Sequence, residues 1–227
     1  MFMKFDRIAR DRTDHVGIEI ESLVIAGWAG RDAAAIEHHI EELAVLGIPR
    51  PSTTPLYYRV AAQTLTQADR LTVLGPDSSG EIEPVVVAMA DGLWIGIGSD
   101  HTDRKAEAVG IALSKQLCGK PVGSQLWSYA DIEPHWDELV LRSWATIDGK
   151  RVLYQESPVS SLRTPRDLIR RYSNVDVLPA GTLMFCGTPG AIGGIRPGTR
   201  FEMELSDPVL KRSLSHGYDI EVLPVIS

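Results

Sequence analysis

The spacing of apolar and polar positions predicts a chain built mostly from short strands, with few helices. Residues 17–27, GIEIESLVIAG, alternate and then run apolar, as a strand does. A helix is predicted over about 33–46, with Asp32 as its N-cap and Gly47 and Pro49 ending it. Residues 49–60 are Pro-rich and then aromatic, a loop entering a strand. From 69 to 100 the pattern is mostly β, with turns at Gly75–Gly80 and at Ala90-Asp91-Gly92. Over 103–117, Ala106, Val109, Leu113 and Leu117 fall near one face of a predicted helix. Residues 165–173 predict a short helix with Pro165 near its start. The segment 177–225, rich in Gly and Pro, reads as short strands and tight turns, with Ser215-His216-Gly217 as one of the turns. Trp127, Trp136 and Trp144 read as core. The fold class is α+β, mostly β.

Composition narrows the function. The 227 residues are 44% hydrophobic and 23% charged, which suits one folded domain spanning 1–227 and argues against disorder. A net charge of −7 disfavours nucleic acid, whose phosphates demand a surplus of Lys and Arg. A small anionic substrate would need local positive charge from a metal or a particular lysine. Cys118 and Cys186 are far apart and in no ligand spacing, so no zinc site or disulfide framework is expected. The N-terminus is polar from residue 4 onward and carries no apolar signal core, and no apolar run approaches the roughly 20 residues that span a bilayer. The expectation is a cytoplasmic protein with neither a membrane nor a nucleic acid as partner.

The sharpest local signal is Gly80-Glu81-Ile82-Glu83-Pro84. Side chains alternate along a strand, so Glu81 and Glu83 point the same way. Their repulsion gains nothing unless a cation lies between them. Asp91-Gly92 follows as a hairpin turn, then Leu93–Ile97 and Gly98-Ser99-Asp100. A hairpin centred near Asp91 pairs residues whose numbers sum to about 182 or 183, which places Ser99 and Asp100 opposite Glu83. Three carboxylates would then converge at the open end of the hairpin, suited to a hard cation such as Mg²⁺ or Mn²⁺. Glu-x-Glu at a strand end also occurs as a solvated edge, and the hairpin by itself leaves both readings open.

Two phrases change that balance. Leu178-Pro179-Ala180-Gly181-Thr182 through Cys186-Gly187-Thr188-Pro189-Gly190, followed by Arg196-Pro197-Gly198-Thr199, resembles the Pro-Gly-Asp strand, Thr-Gly-Thr-Pro-Gly loop and second Pro-Gly turn of the fumarylacetoacetate hydrolase superfamily. Glu81-x-Glu83 with Ser99-Asp100-His101-Thr102-Asp103-Arg104 is similar to that superfamily's metal-ligand pair and Asn-Asp-x-Thr-Ala-Arg motif. The agreement covers about residues 80–227, as an uncharacterised branch of the superfamily. This chain departs at Ser99, where Asn is usual, at Asp103 and Lys105, at Cys186, and in a shorter interval between Glu83 and Asp100.

The resemblance implies a mixed β-roll or β-sandwich with few short helices. It also implies a homodimer, with residues 1–70 as a smaller N-terminal lobe carrying a lid helix and 71–227 as the metal-binding core. Glu81, Glu83 and Asp100 map onto the metal ligands, for Mg²⁺ or Mn²⁺, and the metal would hold a small 2-oxo acid.

Further candidates follow from the same likeness. On the helix at 33–46, His39 lies at the edge of the stripe formed by Ile36, Ile40, Leu43 and Leu46, with Glu42 within reach at i+3. This looks like the superfamily's His-x-x-Glu dyad, a general base and its orienter; a packed histidine is the other reading. Lys115 stands where a substrate-contacting lysine is expected, with Lys120 as its rival. Gly187 and Thr188 would bind a substrate carboxylate or enolate oxygen through backbone N–H and hydroxyl, or else form a plain turn. Tyr57 and Tyr58 either line the pocket mouth or pack in the core. His101, beside a ligand, is expected to point to the opposite face. The implied activity is hydrolytic cleavage of a carbon–carbon bond in an acylpyruvate-type 2,4-dioxo acid. The alternatives are decarboxylation or keto–enol isomerisation of a 2-oxo acid, and a non-catalytic 2-oxo acid binding protein.

Overall fold

The computed structural model describes residues 1–10, 12–45 and 50–226, with the backbone alone at His39, Glu42, Leu43 and Val45. The larger of its two main sheets has eight strands. Edge to edge they are Arg12–Glu19, Phe2–Ala9, Gln125–Ser128, Gly92–Ser99, Ile82–Met89, Thr182–Phe185, Ser22–Gly27 and Leu56–Val60. The second has five: Lys150–Pro158, Val140–Ile147, Arg200–Asp207, Arg212–Leu223 and Arg70–Leu74. The expected mostly-β α+β fold is present. Strands from 1–70 hydrogen-bond into the same sheet as strands from 71–227, so the larger sheet runs across the expected lobe division.

The apolar run Pro84–Met89 is explained by burial on both faces of its strand. Val86 and Ala88 join a core with Ile95, Ile97 and, from the five-stranded sheet, Leu141, Phe201, Leu205 and Tyr218. Val85 and Val87 join a second core with Leu23, Ile25, Leu183 and Phe185. By the same alternation, Glu83 lies on the face of Val85 and Val87. The two strands of the hairpin approach their neighbours closely at Gly98, where a Cβ would stand 2.8 Å from Phe185 Cε1 and 3.0 Å from Val85 Cγ1. Gly98 is the partner of Glu83 in the ladder. Gly98→Ala is expected to cost about 1–3 kcal/mol through overpacking. A urea midpoint unchanged from that of the unsubstituted chain would refute this.

Several expectations are corrected. The hairpin pairs Met89 with Gly92 and Ile82 with Ser99, one or two register steps tighter than expected, because its loop is Ala90-Asp91 and Gly92 already belongs to the strand. Asp91 is held in that loop by Arg7 at 2.6 Å and by the Trp94 indole N–H at 3.1 Å. Glu83 therefore faces Gly98, and Asp100 follows the strand end with its N–H on Glu81 O at 3.0 Å.

The single strand expected over 17–27 is two, Arg12–Glu19 and Ser22–Gly27. The polar N-terminus forms the strand Phe2–Ala9, in which Met3, Phe5 and Arg7 are buried. The helix expected over 103–117 breaks into Arg104–Glu107 and Ile111–Leu117. Its apolar stripe faces outward: Val109, Leu113 and Leu117 are exposed, while Ser114 and Lys115 are buried. Trp144 is only half-buried beneath Arg151, unlike Trp127 and Trp136. Ser215-His216-Gly217 lies inside the strand Arg212–Leu223. Asp32 does cap the helix Ala33–Val45, accepting from Ala34 N at 2.9 Å and Ala35 N at 3.1 Å, and Pro165–Ser173 is helical. Among the described residues no helix is long and apolar enough to cross a membrane.

Candidate metal centre

The hairpin end brings the three carboxylates together. Glu81, Glu83 and Asp100 each offer one oxygen within 4.8 Å of the others. Glu83 is 2% exposed and Asp100 fully buried. Gly187 N–H donates to Glu83 Oε2 at 2.6 Å, and Ser99 Oγ accepts from Glu81 N at 3.1 Å.

Three cations surround these acids. Lys115 donates to Asp100 Oδ2 and lies 3.9 Å from Glu81 Oε2. Lys120 Nζ sits 3.0 Å from Asp100 Oδ1 and donates to His101 O. Arg104 Nη2 is 3.0 Å from Glu81 Oε1, while its Nη1 pairs with Glu107 at 3.1 Å. Lys115 and Lys120, rivals for one role, thus flank the same carboxylate. Burial would raise the Asp100 carboxyl, but Lys115 and Lys120 outweigh it and hold it at about 2. Glu83 is pushed well above the usual carboxylate range by burial and then by the Asp100 charge. Burial opposes charge on Lys115, yet Asp100, Glu81 and Glu83 hold its pKa above the ordinary lysine value. It is therefore a fixed cation at neutral pH.

A divalent ion fits this donor set. Hard cations bind carboxylate oxygens at about 2.0–2.6 Å, so ligand oxygens on one ion stand about 3–5 Å apart; the observed limit falls within that range. Asp100 Oδ1 is buried, with the Lys120 ammonium at 3.0 Å as its close contact among the described residues. A carboxylate oxygen with that one partner keeps lone-pair capacity that a metal ion can use. The charges agree as well. Glu81, Glu83, Asp100 and the Glu107 paired with Arg104 face Lys115, Lys120 and Arg104, so a divalent ion leaves one net positive charge for an anionic ligand.

Behind the carboxylates lies a buried polar chain. Tyr218 Oη donates to Ser99 Oγ at 2.8 Å, so it accepts from His101 Nδ1–H at 3.0 Å, and His101 Nε2 accepts from Ser78 Oγ at 2.9 Å. His101 thus points away from the acids, as expected. Burial, with Lys120 and Arg104 nearby, lowers its pKa from 6.5 to about 3. Between those values the unfolded chain binds a proton that the folded chain refuses, so stability falls as pH drops from 6.5 toward 3. The contribution is up to about 1.4 kcal/mol per pH unit. His101→Gln is expected to flatten that part of the profile in urea titrations at pH 7, 5 and 4. Parallel profiles would contradict the assignment.

The remaining candidates separate. Gly187 spends its N–H on Glu83, so it orients that carboxylate and leaves no free donor for substrate. Thr188 is half-buried beside it, its Oγ accepting from Gln155 Nε2 at 2.8 Å. Tyr57 turns away: its hydroxyl donates to Leu168 O at 2.8 Å and its ring meets Tyr172. Tyr58 instead lies under Lys115, 5.7 Å from Nζ. The side chains of His39 and Glu42 lie outside the described residues. Gln155 and Tyr218 carried no local sequence signal, since each reaches the site through tertiary pairing of distant strands.

A cleft of about 490 Å³, lined by Asp77, Ser78, Arg104, Lys105, Ile195 and Pro197, opens beside Arg104. A second groove of about 460 Å³ lies at the turn end of the hairpin, away from the acids, and its Arg7 is taken up by Asp14 and Asp91.

Residues 26–218 match the model of a family described as "Protein of unknown function (DUF2848)". The chain belongs to that family. No curated protein matches this DUF2848 chain. Solved structures do share its fold. A 2-keto-3-deoxy-D-arabinonate dehydratase complexed with magnesium and 2,5-dioxopentanoate superposes with a TM-score of 0.64 at 14% identity, over 92% of this chain and 75% of that one. The protein Cg1458 gives 0.61 at 18% identity, over 90% and 76%. The 4-oxalocrotonate decarboxylase from Pseudomonas putida G7, complexed with calcium and acetate, gives 0.52 at 16% identity, over 88% and 76%. At these identities the likeness establishes the fold.

Proposed function

We propose that this chain is a metal-dependent enzyme acting on a small 2-oxo acid, and specifically a hydrolase that cleaves a carbon–carbon bond of a 2,4-dioxo acid. The observation that carries the reading is the cluster of buried Glu83 and Asp100 with partly buried Glu81, faced by Lys115 and Lys120. It is supported by the likeness of residues 80–227 to the fumarylacetoacetate hydrolase superfamily. The similar structures also support it, since they include a 2-keto-3-deoxy-D-arabinonate dehydratase complexed with magnesium and a 4-oxalocrotonate decarboxylase complexed with calcium.

Glu81, Glu83 and Asp100 would hold one Mg²⁺ or Mn²⁺. The bound ion supplies Lewis-acid polarisation of the 2-oxo and carboxylate oxygens. Lys115, charged at neutral pH, places a second positive charge where an enolate develops. The Thr188 hydroxyl offers a hydrogen bond to a substrate oxygen. His39, oriented by Glu42, would take a proton from the water that attacks the distal carbonyl. Release of the acyl group as an acid leaves a pyruvate-type enolate, which is protonated to the product.

The second reading keeps the enolate and drops the water. The likeness to a dehydratase and a decarboxylase favours it, since elimination or decarboxylation next to a 2-oxo acid needs the same charge stabilisation. The deciding experiment incubates the purified chain with Mg²⁺ or Mn²⁺ and acylpyruvates, oxaloacetate or 2-keto-3-deoxy sugar acids, following products by mass. A hydrolase yields pyruvate plus an acid and is silenced by His39→Ala. Turnover that survives His39→Ala with loss of CO₂ or water assigns the second reading. No product from any of them overturns the enzymatic proposal.

A further inference from the structure

Gln155 sits on the strand Lys150–Pro158 and is 2% exposed. Its amide is fully used: Oε1 accepts from Ile82 N at 3.0 Å and from Ser143 Oγ at 3.0 Å, while Nε2 donates to Thr188 Oγ1 at 2.8 Å and to Pro189 O at 2.6 Å. Chemistry fixes which end is which. A backbone N–H can only donate and a backbone carbonyl can only accept, so the amide oxygen must face Ile82 and the nitrogen Pro189. The same side chain therefore ties the residue between Glu81 and Glu83 to the loop that follows Gly187, whose N–H holds Glu83.

One consequence concerns a proton. Thr188 Oγ receives a hydrogen from Gln155, so its own O–H must point elsewhere. Its acceptor among the described residues is Pro189 O at 3.4 Å, a long contact to an oxygen already bonded by Gln155. That hydroxyl is available as a donor and is barred by Gln155 from turning around.

We propose that Gln155 is a positioning residue that fixes the Thr188 hydroxyl as a hydrogen-bond donor to an anionic oxygen of a substrate held beside the three carboxylates. The inference rests on the 2-oxo acid reading and deepens it. The site selects an acceptor oxygen, a carboxylate or enolate, over a donor group such as an amide NH₂ at the same place.

The test uses oxalate, a dianion shaped like a 2-oxo acid enolate, titrated calorimetrically into the full chain with saturating Mn²⁺ at pH 8. Thr188→Ser keeps the donor and should bind within a few-fold of the unsubstituted chain. Thr188→Val should weaken oxalate about tenfold to a hundredfold, the range for a hydrogen bond to a charged group. Gln155→Glu keeps acceptors for Ile82 and Ser143 and offers a carboxylate that takes the Thr188 proton, so it should weaken oxalate similarly. Added to Thr188→Val, it should cost little more, which a merely structural role would not produce. Gln155→Met, which removes the donors without adding charge, decides the matter if the glutamate variant does not fold. Gln155 variants that bind oxalate normally, or whose losses add in full to Thr188→Val, overturn the inference alone. An unsubstituted chain that takes up Mn²⁺ and ignores oxalate overturns the 2-oxo acid reading, and the inference with it.

Discussion

Glu83→Gln should weaken metal binding steeply while leaving the fold intact. The side chain is nearly isosteric, and its amide oxygen can still accept from Gly187 N–H, the 2.6 Å bond that anchors the loop. What is lost is one of three anionic ligands, which should weaken Mn²⁺ by on the order of a hundredfold or more. Turnover of the best substrate should fall about a thousandfold or more, since transition-state charge stabilisation by a metal amounts to several kcal/mol.

Stability without metal should hold or rise. Burial and the Asp100 charge lift Glu83 well above the ordinary carboxylate range. The unfolded chain therefore releases this proton first as pH rises, and ionising Glu83 in the folded chain at neutral pH works against folding. A neutral amide removes that penalty. Calorimetry with Mn²⁺, paired with urea titration in chelator, reads both effects. Undiminished metal affinity in a folded variant would contradict the ligand assignment.

The second large effect separates the two lysines. Lys120 is fully buried, beside Asp100 Oδ1 at 3.0 Å and donating to His101 O. Lys120→Met leaves a buried carboxylate oxygen and a carbonyl without their cation, and is expected to cost about 3–5 kcal/mol of stability. Lys115→Met leaves Asp100 still paired with Lys120, so its folding cost should be smaller, about 1–2 kcal/mol. Its larger effect should fall on rate, about 10²–10³ in kcat, because its charge sits between Asp100 and Glu81 where substrate charge would develop. Urea midpoints and turnover on the two variants test the division. A Lys115→Met protein that loses more stability than Lys120→Met, with normal kcat, would reverse it.

The carboxylate cluster was legible because it depends on local rules. Period-2 alternation put Glu81 and Glu83 on one face, and a single turn brought Asp100 back to them. The register difference had a local cause, the choice of loop residues around Asp91, and it put Gly98 rather than Ser99 or Asp100 opposite Glu83 without dispersing the acids. The helix at 111–117 could not be read by apolar periodicity. Pairing buried Lys115 with Asp100 wins over burying Leu113 and Leu117, and that choice is visible only once the hairpin is formed. Gln155 and Tyr218 lie 73 and 119 residues from their bonded partners Ile82 and Ser99, and no local pattern joins such positions. Likewise Gly187 read as a substrate donor in a Gly-Pro loop, whereas folding commits its N–H to Glu83.

Anomalous scattering from crystals grown with Mn²⁺ tests whether Glu81, Glu83 and Asp100 hold a metal ion. One strong peak per chain is expected, with oxygens of Glu81, Glu83 and Asp100 all at about 2.1–2.3 Å from it. A map with no peak there, or with manganese bound only at surface acids elsewhere on the chain, would contradict it.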